Sequence, residues 1–369
     1  MNITVIGGGN IGTLMAAEAA NKGHNVTVYT SKPYKWGNSI DVYDSDDNLL
    51  IRGVMSKITD NMEEALKDAD YVWVTVPAQV FPTIAKKMAS YVTSKQKIGI
   101  VPGFGGAEFI FKSEIKKECT FFGLQRVHSI ARLKEYGKSV YQLGRKKCLE
   151  VGVIPLVDSE EICRDMSSIF DMPCKSLPNY LSVTLTPSNP IFHTSRLYSL
   201  FKDWHEGITY PRNILFHEEW NDEASEIMIA CDNEVQSLCN KIPLDLSSVE
   251  SLQDYYESHS PREMTNKIRS IKAFKGLKSP MIEIENRWIP DWNSRYFIAD
   301  FNYGLKVIKD ISDLFDVPTP TIDMLWQWYC KTTENNDYSF FELGVSVDEF
   351  ISIYKKRWIS DIFNNYTEG

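Results

Sequence analysis

The sequence predicts an α/β domain built on a mostly parallel sheet over residues 1–180, followed by an all-α domain over residues 186–369. Three observations predict it. Residues 1–33 read as strand, glycine turn, helix, strand. Wholly apolar runs such as YVWVTV at 71–76 then recur, as strands covered on both faces of a parallel sheet require. After LPNYLSVTLTPSNP at 177–190, punctuated by three prolines, the apolar residues change to helical spacing. A chain of 369 residues accommodates about two domains, and 43% hydrophobic content supplies both cores.

The first strand, NITVI, runs into Gly7, Gly9 and Gly12, spaced G-x-G-x-x-G. Ile11, Leu14, Met15 and Ala19 follow at helical spacing, and residues 26–29 make a second strand. That setting gives the glycines a Rossmann-type reading. Gly7 permits the turn out of the strand, Gly9 leaves room for a pyrophosphate, and Gly12 lets the helix approach the sheet. Asn10 and Ile11 stand at the helix N-terminus, where free N–H groups and the dipole favour phosphate. The second strand ends in Tyr29-Thr30-Ser31-Lys32, with no carboxylate for a ribose 2′-hydroxyl. Two hydroxyls and a cation suit a 2′-phosphate, so NADP is the expected cofactor and NAD a possible one.

Residues 40–51 read as a hairpin around Asp44-Ser45-Asp46-Asp47-Asn48, and 63–67 as a short helix. Strand 71–76 ends at Pro77-Ala78, on the edge where such sheets bind ligands, and a helix over 79–91 follows. Strands are expected at 97–101 and 120–124. Gln125 then lies on the same edge, where an amide can meet a carboxylate. Further strands at 140–143 and 147–151 and a helix over 159–170 complete the domain.

Beyond the boundary, Ala224, Ile227, Met228, Cys231, Val235 and Leu238 form one long helical face, with helices also expected over 303–315, 322–330 and 347–357. In SNPIFH at 188–193, Asn189 suits an N-cap and Pro190 the first helical position. His193 then sits near the start of a helix, and its imidazole suits proton transfer near neutrality. In RYFIADFNYGL at 295–305, Asp300 either caps the following helix or orients an imidazole, and Arg295 either makes a surface ion pair or meets an anion.

A net charge of −9 excludes a general nucleic-acid binder. Seven cysteines without a C-x-x-C pair are expected to be reduced thiols of a cytoplasmic protein, with no metal site. No run reaches the ~18 apolar residues of a membrane span. The chain begins directly in a strand, so no signal peptide is expected.

GGGNIG, SNPIFH and RYFIADFNYGL, in this order, resemble the NAD(P)-dependent opine dehydrogenases, the octopine and nopaline dehydrogenase family. The resemblance implies a nucleotide domain followed by a helical domain of the 6-phosphogluconate dehydrogenase C-terminal type, with the active site in the cleft. It implies that His193 donates and accepts the proton, that Asp300 pairs with it, and that Arg295 reaches the cofactor phosphates. Gln125 would help hold an α-keto acid, and Arg132 is the further donor for the substrate carboxylates. The implied reaction, on CH–NH bonds, is the reductive condensation of an α-keto acid such as pyruvate with an amino acid. Partners are then small molecules, with neither nucleic acid nor membrane, and a homodimer is possible. Thr30-Ser31-Lys32 departs from the NAD use of the octopine enzymes, and nothing in the sequence identifies the amine. Two rival readings remain. A ketopantoate reductase-like 2-keto acid reductase would need a lysine where SNPIFHTSR stands, and a non-enzymatic NADP sensor would not need the His193–Asp300 pair.

Overall fold

The computed structural model describes residues 1–341 and 345–355. The chain divides into two compact units, Met1–Thr184 together with the chain from Glu349, and Leu185–Asp348.

In the first unit β1 (Asn2–Ile6) leads through the glycine turn into α1 (Asn10–Asn21) and β2 (Asn25–Tyr29). β3 (Ser39–Tyr43) and β4 (Leu49–Val54) form the expected hairpin. There follow β5 (Lys57–Thr59), α2 (Met62–Leu66), β6 (Tyr71–Val74), α3 (Phe81–Ala89), β7 (Lys97–Ile100), α4 (Ala107–Glu114) and β8 (Thr120–Leu124). Next are β9 (Ser129–Glu135), β10 (Ser139–Arg145), β11 (Leu149–Ile154), α5 (Ser159–Phe170), β12 (Cys174–Ser176) and α6 (Leu181–Thr184).

The main sheet has the order β12-β11-β8-β7-β6-β1-β2-β5. β1 pairs in parallel with β2 on one side and β6 on the other, so the strand order reverses there. The crevice at the carboxyl ends of β1 and β6 is where such a sheet binds its ligand. A second sheet, β4-β3-β10-β9, joins the two hairpins by a parallel β3–β10 pairing. α1 lies against it: a Cβ on Gly53 of β4 would stand 2.4 Å from the Ala17 carbonyl oxygen. With protein on both sides, residues 12–19 of α1 are all buried, Glu18 included. Burial pushes the Glu18 carboxyl up. His128 at 2.6 Å, Arg145 at 2.9 Å and Gln142 at 2.9 Å outweigh this and hold it below its ordinary value.

α4, β9 and β12 are not legible as elements in the sequence. α4 buries Glu108 and Lys112 beside Phe109 and Phe111, so it carries no clean polar face.

The second unit contains α7 (Asn189–Phe201), α8 (Asp222–Lys241), α9 (Leu252–Tyr255), α10 (Pro261–Ser270), α11 (Arg295–Asp300), α12 (Lys306–Leu314) and α13 (Pro320–Thr333). It is not purely helical: Met281–Ile284 and Arg287–Pro290 pair as an antiparallel hairpin. Ser188, not Asn189, is the N-cap of α7. Asp300 is followed not by a turn but by a π-helical segment, Phe301–Leu305, that continues into α12. No helix among the described residues is long and apolar enough to cross a membrane.

The closing helix α14 (Val347–Lys355) differs from a division that assigns everything after 186 to the second domain. The expected span to 357 ends outside the described residues. From Glu349 the chain returns to the first unit, where Phe350 stacks on Phe109 of α4 at 5.9 Å between ring centroids. The Tyr354 hydroxyl donates to Glu108 Oε1 at 3.0 Å, and the Thr184 hydroxyl donates to the same oxygen. Glu108 Oε2 has no partner among the described residues. Burial pushes this carboxyl up from 4.5 to about 7. Between those values the folded protein keeps a proton that the unfolded chain releases, so stability falls as pH rises, by about 3 kcal/mol across the window. We predict that Glu108→Gln removes this loss. Thermal melts should show the variant gaining on the wild type between about pH 5 and about pH 8; an unchanged difference would contradict the assignment.

Candidate active site

The glycine turn leaves β1 with Gly7 at φ +119°, a conformation that favours glycine. The Thr75 hydroxyl donates to the carbonyls of Ile6 at 3.1 Å and Gly7 at 3.2 Å, binding the ends of β6 and β1 together. A Cβ on Gly12 would lie 2.0 Å from the Gly7 carbonyl oxygen, so helix and turn can meet only at a glycine. Gly9 is different. A Cβ there would meet nothing within 4 Å, and it caps α1 in an extended conformation with no side-chain cap. The open space above Gly9, facing a helix start without an acidic first turn, fits a pyrophosphate.

The Asn10 side chain is engaged elsewhere: its Oδ1 accepts from the Leu133 N–H of β9 at 2.8 Å. Ile11 packs on the core. What these two residues offer a ligand is therefore backbone. At the end of β2, Thr30 is buried and its hydroxyl bonds to that of Tyr136 at 2.9 Å, while Ser31 and Lys32 are exposed. Pro77 and Ala78 follow β6 on the same edge, Pro77 exposed and Ala78 buried. Gln125 directly follows β8; it is buried, and its amide reaches the Ser182 carbonyl at 3.5 Å. Arg132 lies within β9 of the second sheet, with Nη1 donating to the Ala131 carbonyl at 2.8 Å. His128, the other histidine near this edge, is fully buried against Glu18 and serves the packing of α1.

In the second unit, α7 and α11 bring together two residues 107 positions apart. His193 Nδ1 stands 2.7 Å from Asp300 Oδ2, with side chains 12% and 8% exposed. A carboxylate only accepts, so Nδ1 carries the hydrogen and Nε2 is left for proton exchange. Asp300 is thus not a helix cap. Three rings fix the imidazole: Tyr296 at 4.6 Å, Phe216 edge-on at 5.5 Å and Phe192 at 5.8 Å. Arg196, one turn beyond His193 and buried, donates to the carbonyls of Phe216 at 2.9 Å and Glu219 at 2.7 Å, holding the segment that presents Phe216. Arg295 is exposed at the start of α11, its guanidinium 5.4 Å from the Tyr296 ring centre. Sequence reasoning missed Tyr296 and Phe216, which carry no motif beyond Tyr296's place beside Arg295. Among the described residues no cluster of three or more His, Cys, Asp or Glu is arranged to hold a metal ion.

Comparison with known proteins finds a match for part of each unit. Residues 176–333 match the NAD/NADP octopine/nopaline dehydrogenase alpha-helical domain, and residues 2–120 match the N-terminus of NAD-dependent glycerol-3-phosphate dehydrogenase. The chain is thus similar to the octopine/nopaline dehydrogenases along most of its length. Tauropine dehydrogenase of Arabella iricolor is 25% identical over 89% of this chain and 90% of its own length. The fold resembles octopine dehydrogenase solved with NADH and L-arginine, at a TM-score of 0.78 and 23% identity over 90% of each chain. It also resembles an NADP+-bound yersinopine dehydrogenase, at a TM-score of 0.67 and 12% identity over 99% of each chain.

The two kinds of glycine in the turn separate experimentally. Gly9→Ala should melt near the wild-type temperature, because its Cβ enters open space, yet bind dinucleotide roughly tenfold or more weakly. Gly12→Ala should lower the melting temperature itself. Calorimetric melts and titration with NADPH and NADH check both; unchanged binding by Gly9→Ala would contradict the pyrophosphate assignment.

Proposed function

We propose that the protein is an NAD(P)H-dependent opine dehydrogenase, which condenses the amino group of an amino acid with an α-keto acid such as pyruvate and reduces the resulting imine to a secondary amine. The observation that carries this reading is the His193–Asp300 pair at 2.7 Å, within the unit that matches the octopine/nopaline helical domain. The bound dinucleotide supplies the hydride that reduces the imine carbon.

The remaining chemistry falls to the chain's own residues. Gly9 and the N-terminus of α1 hold the pyrophosphate, and Arg295 meets the dinucleotide's phosphates. The attacking amine must be neutral, so His193 Nε2 takes its proton. The carbinolamine must then lose water, and the same nitrogen returns the proton to the departing hydroxyl. Asp300 holds one tautomer for both steps and stabilises the imidazolium between them. Gln125 and Arg132 supply donors for the substrate carboxylates.

We assign NADP as the preferred cofactor. The support is the absence of a carboxylate at residues 29–32 and the exposed Lys32 beside Thr30. Relatives in fold have been solved with NADH and with NADP+, so the family alone does not decide. The seven cysteines are all free thiols, which supports a cytoplasmic setting.

The deciding experiment follows oxidation of NADPH and NADH by nicotinamide absorbance, with keto acid alone and with keto acid plus each of a panel of amino acids. Turnover only with both substrates supports the proposal; equal turnover with keto acid alone overturns it in favour of a simple keto-acid reductase. His193→Ala should lower turnover roughly 10²–10⁴-fold, with little change in dinucleotide affinity. Asp300→Asn should also be damaging, and the double variant little worse than His193→Ala, because the aspartate acts through the histidine. Losses that multiply in full would separate the two roles. For the cofactor, Lys32→Ala should weaken NADPH more than NADH, by about 1–3 kcal/mol. Equal losses would contradict the 2′-phosphate assignment.

A further inference from the structure

The helix that supplies Asp300 brings a second neighbour to the same imidazole. Tyr296 and Asp300 stand four residues apart on α11, so one helix face turns both toward α7. Asp300 takes the Nδ1 edge of His193, and the Tyr296 ring lies beside the imidazole, 4.6 Å between centroids at 45°. The Tyr296 ring rests in turn on Phe216, 5.3 Å away, whose carbonyl accepts from Arg196 at 2.9 Å. Phe192 and Phe216, the other two rings against His193, are buried. Tyr296 is half-buried and, like His193 itself, partly accessible.

An imidazole that takes a proton becomes a cation, and the face of an aromatic ring carries negative charge density. A cation within about 6 Å of the ring centre is attracted to it, most strongly where water is excluded. The Tyr296 hydroxyl makes no hydrogen bond among the described residues, so the protein uses this residue through its ring. Arg295, exposed at the start of α11, is the competing cation, its guanidinium 5.4 Å from the same ring centre. The charged groups of the neighbouring elements have other partners. Arg196 of α7 donates to the carbonyls of Phe216 and Glu219. His217 stacks on Phe274 at 4.1 Å, and Glu219 pairs with Arg212 at 2.7 Å. On α8, Asp232 accepts from the Leu252 N–H at 2.7 Å and Glu234 from the Thr321 N–H at 2.7 Å, while Asp323 of α13 pairs with Lys309 at 2.6 Å. Asp300 is then the carboxylate bonded to His193, and Tyr296 the ring nearest to it among the described residues.

We infer that Tyr296 is a positioning residue for the acid–base step: its ring holds the His193 imidazole and favours the imidazolium that forms when the amine gives up its proton. The inference rests on the acid–base role proposed for His193 and names the group that tunes it. Asp300 fixes which nitrogen carries the hydrogen, whereas Tyr296 acts on the charge of the imidazole as a whole. A ring that attracts the charged form lets the imidazole keep its proton to higher pH. Without that ring the proton leaves sooner, so a midpoint governed by His193 moves to lower pH.

The test titrates the full chain by NMR with ring-labelled histidine, the His193 signal being assigned by its loss in His193→Ala. Tyr296→Leu and Tyr296→Met remove the aromatic ring and keep apolar bulk; Tyr296→Phe keeps the ring and removes only the hydroxyl. The first two should each lower the His193 midpoint by about half a pH unit or more, and the third by less than about 0.2 unit. Unmoved signals from the other five histidines show that the fold is intact. The acid limb of kcat/KM against pH should move in the same direction and the same order. A midpoint that stays at the wild-type value without the ring, or that moves as far in Tyr296→Phe, overturns this inference and leaves the proposed reaction standing. Turnover that falls with an unmoved pH profile does the same, because it marks a purely structural contact. A wild-type protein without turnover on any pair of keto acid and amino acid overturns the proposed reaction and, with it, the part of Tyr296 in an acid–base step.

Discussion

The first unit is organised by the burial of one short helix on two sides. α1 must touch β1 closely enough that Gly12 sits under the Gly7 carbonyl, and must touch β4 closely enough that Gly53 sits over Ala17. Between those contacts its side chains are Thr13, Leu14, Met15, Ala16, Ala17 and Ala19, small or flexible groups that fill a narrow slot. Fixing the helix this way aims its N-terminus at the crevice between β1 and β6. The same fixation brings the second sheet to the rim of that crevice, where Leu133 bonds to Asn10 and Tyr136 to Thr30. A packing requirement in the core thus sets which side chains surround the ligand.

The second unit solves a different problem, which is to hold an imidazole in one orientation. Asp300, the last residue of α11, reaches His193 just before the helix widens into a π-helical segment at Phe301–Leu305 instead of ending. Such segments are frequent at functional positions because they rotate neighbouring side chains out of regular α-helical phase. Gly304 in this segment allows close contact with α7: a Cβ there would stand 2.7 Å from the Pro190 ring. Pro190 lies three residues before His193, so the approach that Gly304 permits is also the one that brings the two acid–base partners together. The aromatic residues around the pair leave the ring little freedom to turn, which suits a group that must give and take a proton at one nitrogen.

Much of this was legible from residue order. The βαβ start, the hairpin over 40–51 and α5 over 159–170 follow from apolar period and glycine spacing, which depend on local sequence. SNPIFH and RYFIADFNYGL identified His193 and Asp300 as candidates, but spacing alone left Asp300 equally suited to capping a helix. Only the packing of α7 against α11 distinguishes the two. β9 carries no strand signal in the sequence because SIARLKE alternates poorly. Its pairing with β10 and its bond to Asn10 are long-range, and so left no local pattern. α4 was missed for a related reason: Glu108 and Lys112 face inward, where polarity argues against burial. The return of α14 to the first unit depends on a contact between residues 246 positions apart, Tyr354 and Glu108.

Three buried carboxylates show how differently one group can be accommodated in a single chain. Glu18 is surrounded by an imidazole, a guanidinium and an amide, so the cost of removing a charge from water is offset by these partners and the residue stays ionised. Among the described residues Glu108 accepts from the hydroxyls of Thr184 and Tyr354 and has no cation as a hydrogen-bonding partner. Hydroxyls bond well to a neutral acid but compensate a charge poorly, which is why burial raises its proton affinity. Asp300 has a single titratable partner in His193. A cationic partner fixed in its charge, as arginine is, would lock the carboxylate and leave no proton to exchange. An imidazole allows the charge of the pair to change as the proton moves, while the carboxylate holds the ring in place. Among the three, only this arrangement combines a fixed geometry with a proton that can leave, which is what the proposed chemistry needs.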